Sequence, residues 1–399
     1  MNTALVLLML AQAPTVESWP QRVDVVEVKG LYWTKEFVVL RELPWKAGQT
    51  ISQNDYELGT TRLWNTDLFS QIAVKVEHRD DGKTVVVYDI EERFSLNPLF
   101  SFGVGGGSWW FRVGANDVNW LGRFLEWGVR YERFGLYNGG QGWLRDYRLF
   151  NKRLVGTIHA EFLFRPRPEY TRRRMMGMVD VWGELNDVTR VGAKLEVFRD
   201  EYIDPLEGTP LLPPELFAGQ LTTFQRIGRV DTVRLLQKGW SFELREVLGV
   251  GIIGSKPLYA QLFMEFLWFK EFLNRFNLAV RAQGGMSVDA PTEQKFYLGG
   301  LDLIRGYTDS IVRTERFALA NVELRGIIFD SMWFAIMGAA FVDGAIADDG
   351  RQLTPMLSVG GGVRLLIPRF VKTGVRADVA VTLTGIPTPG FSFGVYQFF

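Results

Sequence analysis

"LYAQLFMEFLWF" (258–269) places Leu258, Ala260, Leu262, Met264, Phe266 and Trp268 on one side of an extended chain, with Gln261 and Glu265 on the other. Side chains of a strand alternate between faces, so this period of two predicts a strand with one greasy and one partly polar surface. The pattern returns in "NRFNLAVRAQ" (274–283), where Phe276, Leu278, Val280 and Ala282 oppose Arg275, Asn277, Arg281 and Gln283. "GVRADVAVTL" (374–383) sets Val375, Ala377, Val379, Val381 and Leu383 against Arg376, Asp378 and Thr382. "FLEWGVRYER" (124–133) sets Leu125, Trp127, Val129 and Tyr131 against Glu126, Arg130 and Glu132. A soluble sandwich alternates too, but its strands are usually about 5–6 residues long. Here segments of ten or more are common, near the roughly 9–11 residues that cross a bilayer at a tilt. The apolar face is therefore read as lipid-facing and the charged face as lining a lumen.

Counting such segments from Asn97 onward gives about sixteen strands, an even number as bacterial outer-membrane barrels require. The eleventh falls at about 275–288 and the twelfth at about 313–328. The Pro-rich "YIDPLEGTPLLPPELFAG" (202–219) reads as a long external loop. Composition agrees: 42 Gly, 30 Phe, 13 Trp and 12 Tyr suit strands and membrane interfaces. The 45 basic and 45 acidic residues cancel, so net charge argues neither for nucleic acid nor for an acidic tail, and no nucleic-acid partner is expected. With no cysteine, disulfides and thiolate chemistry are excluded, and His78 and His159, in different regions, argue against a histidine metal centre. An outer-membrane hydrolase would need an acid, a histidine and a serine together, and no such set can be placed. The chain is read as non-enzymatic, with no cofactor and no metal.

The N-terminus, "MNTALVLLMLAQA" (1–13), reads as a signal peptide ending in an Ala11-Gln12-Ala13 cleavage site. Residues 20–95 form a different kind of segment. "VDVVEVKG" (23–30) is a strand, Thr34 is expected to cap a helix through "KEFVVLRELPWKAG" ending at Gly48, and Ser52 opens a second helix with Tyr56, Leu63 and Trp64 on its apolar side. The strands "IAVKVEH" and "TVVVYDIEE" follow, joined at Asp80-Asp81-Gly82. This β-α-α-β-β order, with Gly30, the Leu43-Pro44 to Gly48 turn and "DLFSQIAVKVE" (67–77), resembles a POTRA domain, the periplasmic module of outer-membrane assembly and secretion proteins.

A third stretch is "YLGGLDLIRGYTDS" (297–310), a Gly- and Asp-rich connection carrying Arg305. On strand twelve, Asn321, Glu323 and Arg325 share the inward parity; on strand thirteen, Phe341 and Asp343 do. A loop folding into the lumen would bring Arg305 against Glu323 and Asp343, because a guanidinium can bond two carboxylates through its planar fork. "IRGY" (304–307) resembles the [V/I]-R-G-[F/Y] signature of the POTRA-plus-barrel superfamily of BamA-like insertases, TamA-like translocation factors and two-partner secretion pores. "FVDG" (341–344) and "VELRG" (322–326) resemble the strands that supply its acids.

The resemblance implies a transmembrane antiparallel β-barrel of residues 96–399 behind one POTRA domain, in the bacterial outer membrane with the POTRA domain in the periplasm. It implies a lumen clasp of Arg305, Gly306, Tyr307, Glu323, Phe341 and Asp343. It also implies a weak lateral seam between a Gly-rich first strand (Gly103, Gly105, Gly106, Gly107) and the last strand (Phe393, Phe399). The expected function is assembly and insertion of outer-membrane proteins, with unfolded outer-membrane or secreted polypeptides as clients, the lipid bilayer as surroundings, and periplasmic accessory proteins as further partners. The alternative within the family is a secretion pore; outside it, a passive porin-like barrel.

Overall fold

The computed structural model describes residues 19–105, 108–167, 169–186, 188–205, 211–233, 235–253, 258–300, 302–331, 334–350, 352–366, 374–385 and 387–395. The proposed signal peptide, and Gly106, Gly107 and Phe399 of the seam, lie outside them. The described chain divides into two compact units, residues up to Asn97 with Asn116–Trp127, and Pro98–Ala115 with Gly128 onward.

In the first unit β1 (Val25–Lys29) is followed by α1 (Glu36–Leu40), α2 (Gln53–Trp64), β2 (Phe69–His78) and β3 (Thr84–Glu92). The sheet order is β1-β3-β2, with β1 parallel and β2 antiparallel to β3. Val38 and Val39 of α1, Leu63 of α2 and Val85, Val86, Tyr88 and Ile90 of β3 are buried and form the core. Gly30 leaves β1 at φ +83°, and a Cβ there would stand 2.0 Å from the Ile90 carbonyl oxygen, so the position requires glycine. Ser52 caps α2 in a capping box: its hydroxyl accepts from Asp55 N (3.2 Å), and Asp55 accepts from Ser52 N (3.0 Å).

Three sequence readings in this unit are corrected. The first helix spans five residues rather than reaching Gly48. Pro44 has no N–H and disfavours helical backbone at Leu43, and Glu42 is buried, so the chain leaves the helix after Leu40. Thr34 does not cap it; the N-cap is Lys35, without a side-chain bond. Trp64 is 42% exposed rather than packed with Leu63.

Sixteen antiparallel strands form the barrel: β4 (Leu96–Gly105), β5 (Ser108–Trp120), β6 (Leu125–Phe134), β7 (Tyr137–Asp146), β8 (Leu154–Pro166), β9 (Thr171–Glu184), β10 (Thr189–Ile203), β11 (Leu216–Val233), β12 (Leu236–Ile253), β13 (Tyr259–Phe272), β14 (Phe276–Val288), β15 (Arg316–Asp330), β16 (Ala335–Asp348), β17 (Leu353–Leu366), β18 (Gly374–Thr382) and β19 (Pro389–Val395). β19 closes onto β4 through the pairs Phe393–Val104 and Gly394–Gly103, which completes the barrel. Strand parity follows the sequence pattern. On β15, Val322 and Leu324 are exposed to the outside, whereas Asn321, Glu323 and Arg325 are buried within. Between Thr171 and Ile203 the chain forms two full strands, β9 and β10. No helix among the described residues is long and apolar enough to cross a membrane; the strands do so.

Candidate functional site: the loop-six clasp

Between β14 and β15 the sixth external loop, residues 289–315, forms its own short hairpin, pairing Phe296–Leu298 with Val312–Thr314. Its tip is pinned by an apolar plug: Ile304, fully buried, packs with Leu298, Leu319, Ala345, Ala347 and Met356. The next residue is Arg305, also without solvent exposure. Its Nε donates to Asp343 Oδ2 (2.7 Å) and its Nη2 to Asp343 Oδ1 (2.8 Å), a bidentate fork, while its backbone N–H reaches Asp343 Oδ2 at 3.1 Å. Nη1 donates to Glu323 Oε2 at 2.6 Å. The guanidinium carbon lies 3.3 Å from the centroid of the Phe341 ring, which covers one face of the cation. Register explains the convergence: Glu323 is paired with Phe341, and Asn321 with Asp343, across β15 and β16.

Gly306 follows at φ +90° and lies against Ala380 of β18 and Gly390 of β19; a Cβ on Gly390 would stand 2.8 Å from Gly306 Cα. The Tyr307 hydroxyl donates to Leu357 O (3.1 Å), accepts from Leu357 N (3.1 Å), and meets the Thr384 hydroxyl. The structure thus brings together Arg305, Gly306, Tyr307, Glu323, Phe341 and Asp343.

The sequence reading missed how far this network extends. Asn321 donates to Asp343 Oδ1 (2.8 Å) and accepts from Arg281 Nε (2.9 Å). Arg325 Nε and Arg364 Nη2 approach Glu323 Oε1 at 2.8 and 3.3 Å. Arg364 also bonds Asp378, whose second oxygen lies 3.9 Å from Arg305 Nη1, and Arg376 reaches Asp302 at 3.3 Å. Arg281, Asn321, Arg325, Arg376 and Asp378 were legible as inward-facing, whereas Arg364 and the loop residue Asp302 were not read, and nothing in the sequence says which strands the loop crosses. Glu323 and Asp378 each have more than one arginine within ion-pair distance, whereas Asp343 is paired at short range with Arg305 and feels Arg281 at longer range.

A second anchor was also missed. The Glu293 carboxylate, buried at the base of the loop, accepts from Arg167 Nε (3.1 Å) and from the hydroxyls of Tyr170 and Tyr297. Arg167 stacks on the Tyr297 ring at 3.9 Å and donates to Ser310 (2.9 Å). Loop six is thereby tied to the β8–β9 connection as well as to β15–β19.

At the seam, Phe393 pairs with Val104 and Gly394 with Gly103 among the described residues. The rings of Phe102 and Phe393 lie 5.2 Å apart across it. A Cβ on Gly103 would stand 2.8 Å from the Trp110 ring, so glycine lets that ring lie on the strand. Gly105 ends β4.

"GFSFG" (390–394) has the spacing of a nucleophile elbow, but a hydrolase elbow is a strand-to-helix turn. Here it is strand throughout, with Ser392 paired to Asp378. His159 lies on β8, five strands around the barrel, beside Glu161 at 3.3 Å. No cluster of metal-ligating residues occurs among the described residues.

A POTRA module on a sixteen-stranded barrel, with an arginine loop folded into the lumen, defines a class of outer-membrane protein. Two family models match: the Omp85 superfamily domain over residues 231–399, and the POTRA model described as surface antigen variable number repeat over residues 21–93. The chain carries an Omp85 superfamily domain together with a POTRA domain, which fits a bacterial outer-membrane β-barrel with its POTRA domain in the periplasm. Members of this superfamily are transporters and assembly factors rather than enzymes. BamA from Haemophilus ducreyi lacking POTRA domains 1–3 has a similar fold, with TM-score 0.70 at 15% identity over 94% of this chain and 85% of that one. CdiB from Escherichia coli gives 0.67 at 12% over 95% and 77%, and CdiB from Acinetobacter baumannii 0.64 at 11% over 95% and 74%. No curated protein matches the sequence.

Proposed function

We propose that this protein assembles client polypeptides into the outer membrane, without enzymatic activity, by opening the seam between β4 and β19. The supporting observation is the pairing of that seam, where Gly103 and Gly394 face each other. Glycine lowers strand stability and packs no side chain, so the junction is the natural place for the barrel to part. Opening exposes unpaired N–H and C=O groups that an incoming strand satisfies, which lowers the cost of bringing its backbone into lipid. The POTRA domain delivers extended clients by strand addition at a sheet edge, β1 or β2. The Arg305 clasp holds β15, β16 and loop six together while the seam moves, and Gly306 reaches the inner surface of β19 beside it.

The runner-up is a polypeptide secretion pore of the same superfamily, which the fold similarity to CdiB favours. A seam cross-link separates the two. With no native cysteine, Val104→Cys with Phe393→Cys can be oxidised in reconstituted vesicles and client insertion measured. Insertion should fall when the seam is locked and return on reduction; undiminished insertion with the seam locked refutes the assembly mechanism.

A further inference from the structure

The first unit carries an apolar face that its own core does not use. Tyr32 is 95% exposed, Phe94 82%, Trp33 51% and Leu96 42%. These side chains are held close together by their backbone. The N–H groups of Tyr32 and Trp33 donate to Glu92 Oε2 (3.3 and 2.8 Å), two residues before Phe94. Val118 N donates to Ser95 O (3.1 Å), which sets Phe94 beside Asn119 on the neighbouring strand, and Trp33 Nε1 donates to Asn119 O (3.1 Å). The turn behind them presses on Trp33: a Cβ on Gly122 would stand 2.1 Å from its carbonyl oxygen. Four large exposed apolar side chains on two segments, 32–33 and 94–96, that are bonded through Glu92 and Asn119 are not singly scattered surface residues.

Leu96 shares the parity of Phe100, Phe102 and Val104, the outward row of β4, and Phe94 lies two residues before that strand. Ten residues separate Phe94 from Val104. At ~3.3 Å per residue and a tilt of ~40° they climb roughly 25 Å, about the height of the apolar band of an outer-membrane barrel. Phe94 therefore marks the foot of that band, the level where aromatic rings with one wet edge are favoured. Lys35 and Arg123 are exposed nearby, Lys35 N bonding Gly122 O (2.8 Å), and can meet lipid phosphates.

We propose that Tyr32, Trp33, Phe94 and Leu96 form a lipid-docking face, seated among the phospholipid headgroups of the periplasmic leaflet. The POTRA domain then has a membrane contact of its own, independent of any client.

The test uses the full chain with a single cysteine at position 32, 94, 100 or 83, each carrying an environment-sensitive fluorophore. The protein is reconstituted in phosphatidylethanolamine–phosphatidylglycerol vesicles containing spin-labelled lipid. Lys83 is the aqueous control, since it precedes Thr84, at the far end of β3 from Glu92. Labels at 32 and 94 should lose fluorescence to headgroup-level quencher, the label at 100 to acyl-chain quencher, and the label at 83 to neither. If 32 and 94 behave like 83 while 100 is quenched, the docking face is refuted and the barrel stands. Quenching at none of the four refutes the barrel's orientation as well. Shielding of 32 and 94 only after an extended polypeptide is added would assign the face to a protein partner instead, and also overturns the proposal.

Discussion

Arg305→Ala is the most informative single change in the barrel. Its effect can be apportioned from the contacts. Glu323 loses one donor but retains Arg325 at 2.8 Å and Arg364 at 3.3 Å. Asp343 loses its whole fork and retains a neutral donor, Asn321, at 2.8 Å. The cost therefore falls on Asp343, left as a buried carboxylate without its counterion, at about 3–5 kcal/mol. That is roughly a hundred- to several-thousand-fold in the equilibrium that keeps loop six docked. Arg305→Lys preserves charge but loses the fork, and its loss should be intermediate. Adding Asp343→Asn to Arg305→Ala removes the stranded charge and should recover a large part of the loss, as a coupled pair does. The readouts are the urea midpoint for loss of heat-modifiable migration and the rate of tryptic cleavage in loop six at Lys295 and Arg313. Unchanged midpoint and cleavage in Arg305→Ala would refute the clasp; a double variant no better than the single would refute the assignment of the cost to Asp343.

Three further outcomes follow from the geometry. Gly390→Ala puts a methyl 2.8 Å from the Gly306 backbone, so the loop must shift, and a loss of about 1–3 kcal/mol is expected in the same urea assay; an unshifted midpoint counts against that contact. Glu293→Gln should loosen the rim anchor, seen as faster tryptic cleavage at Arg313 and longer open states in planar bilayers, whereas wild-type conductance and cleavage would show the anchor to be idle. In the POTRA domain, partial burial raises the Glu92 carboxyl, but bonds from Thr34, Trp33 and Tyr32 together outweigh it and hold the group below its ordinary 4.5. A depressed folded pKa contributes stability above the unfolded value, and that stability is lost as pH falls through the folded value. Protection factors at Trp33 and Thr34, exchange rates corrected for the intrinsic pH dependence of amide exchange, should fall on acidification in the native chain and stay constant in Glu92→Gln; an equal fall in both would refute the role of Glu92.

Much of this was legible because a barrel writes itself into sequence one residue at a time. Parity alone placed Glu323, Asp343, Arg376 and Asp378 inside and Val322, Leu324 and Val379 outside. The local POTRA devices, the Ser52 cap and the Asp80–Gly82 turn, were legible for the same reason: each is decided by neighbours within a few residues. The short α1 was not, because Glu42 leaves the helix for a buried position that only the tertiary structure supplies. Thr34 was misread because Asn119, a barrel residue 85 positions away, donates to its hydroxyl at 2.8 Å. The Glu293 anchor joins residues more than a hundred positions apart through tyrosines and an arginine that look ordinary in sequence. Parity says which way a side chain points; it does not say where a long loop lands.

The proposed function of this barrel is to install other proteins in the outer membrane. Depletion of the protein in its native cell, followed by quantitative proteomics of the outer membrane, tests that claim most directly. Broad loss of barrel proteins, rescued by the wild-type chain but not by a seam-locked one, is the predicted result. An intact set of barrel proteins with loss of a single secreted product would contradict it.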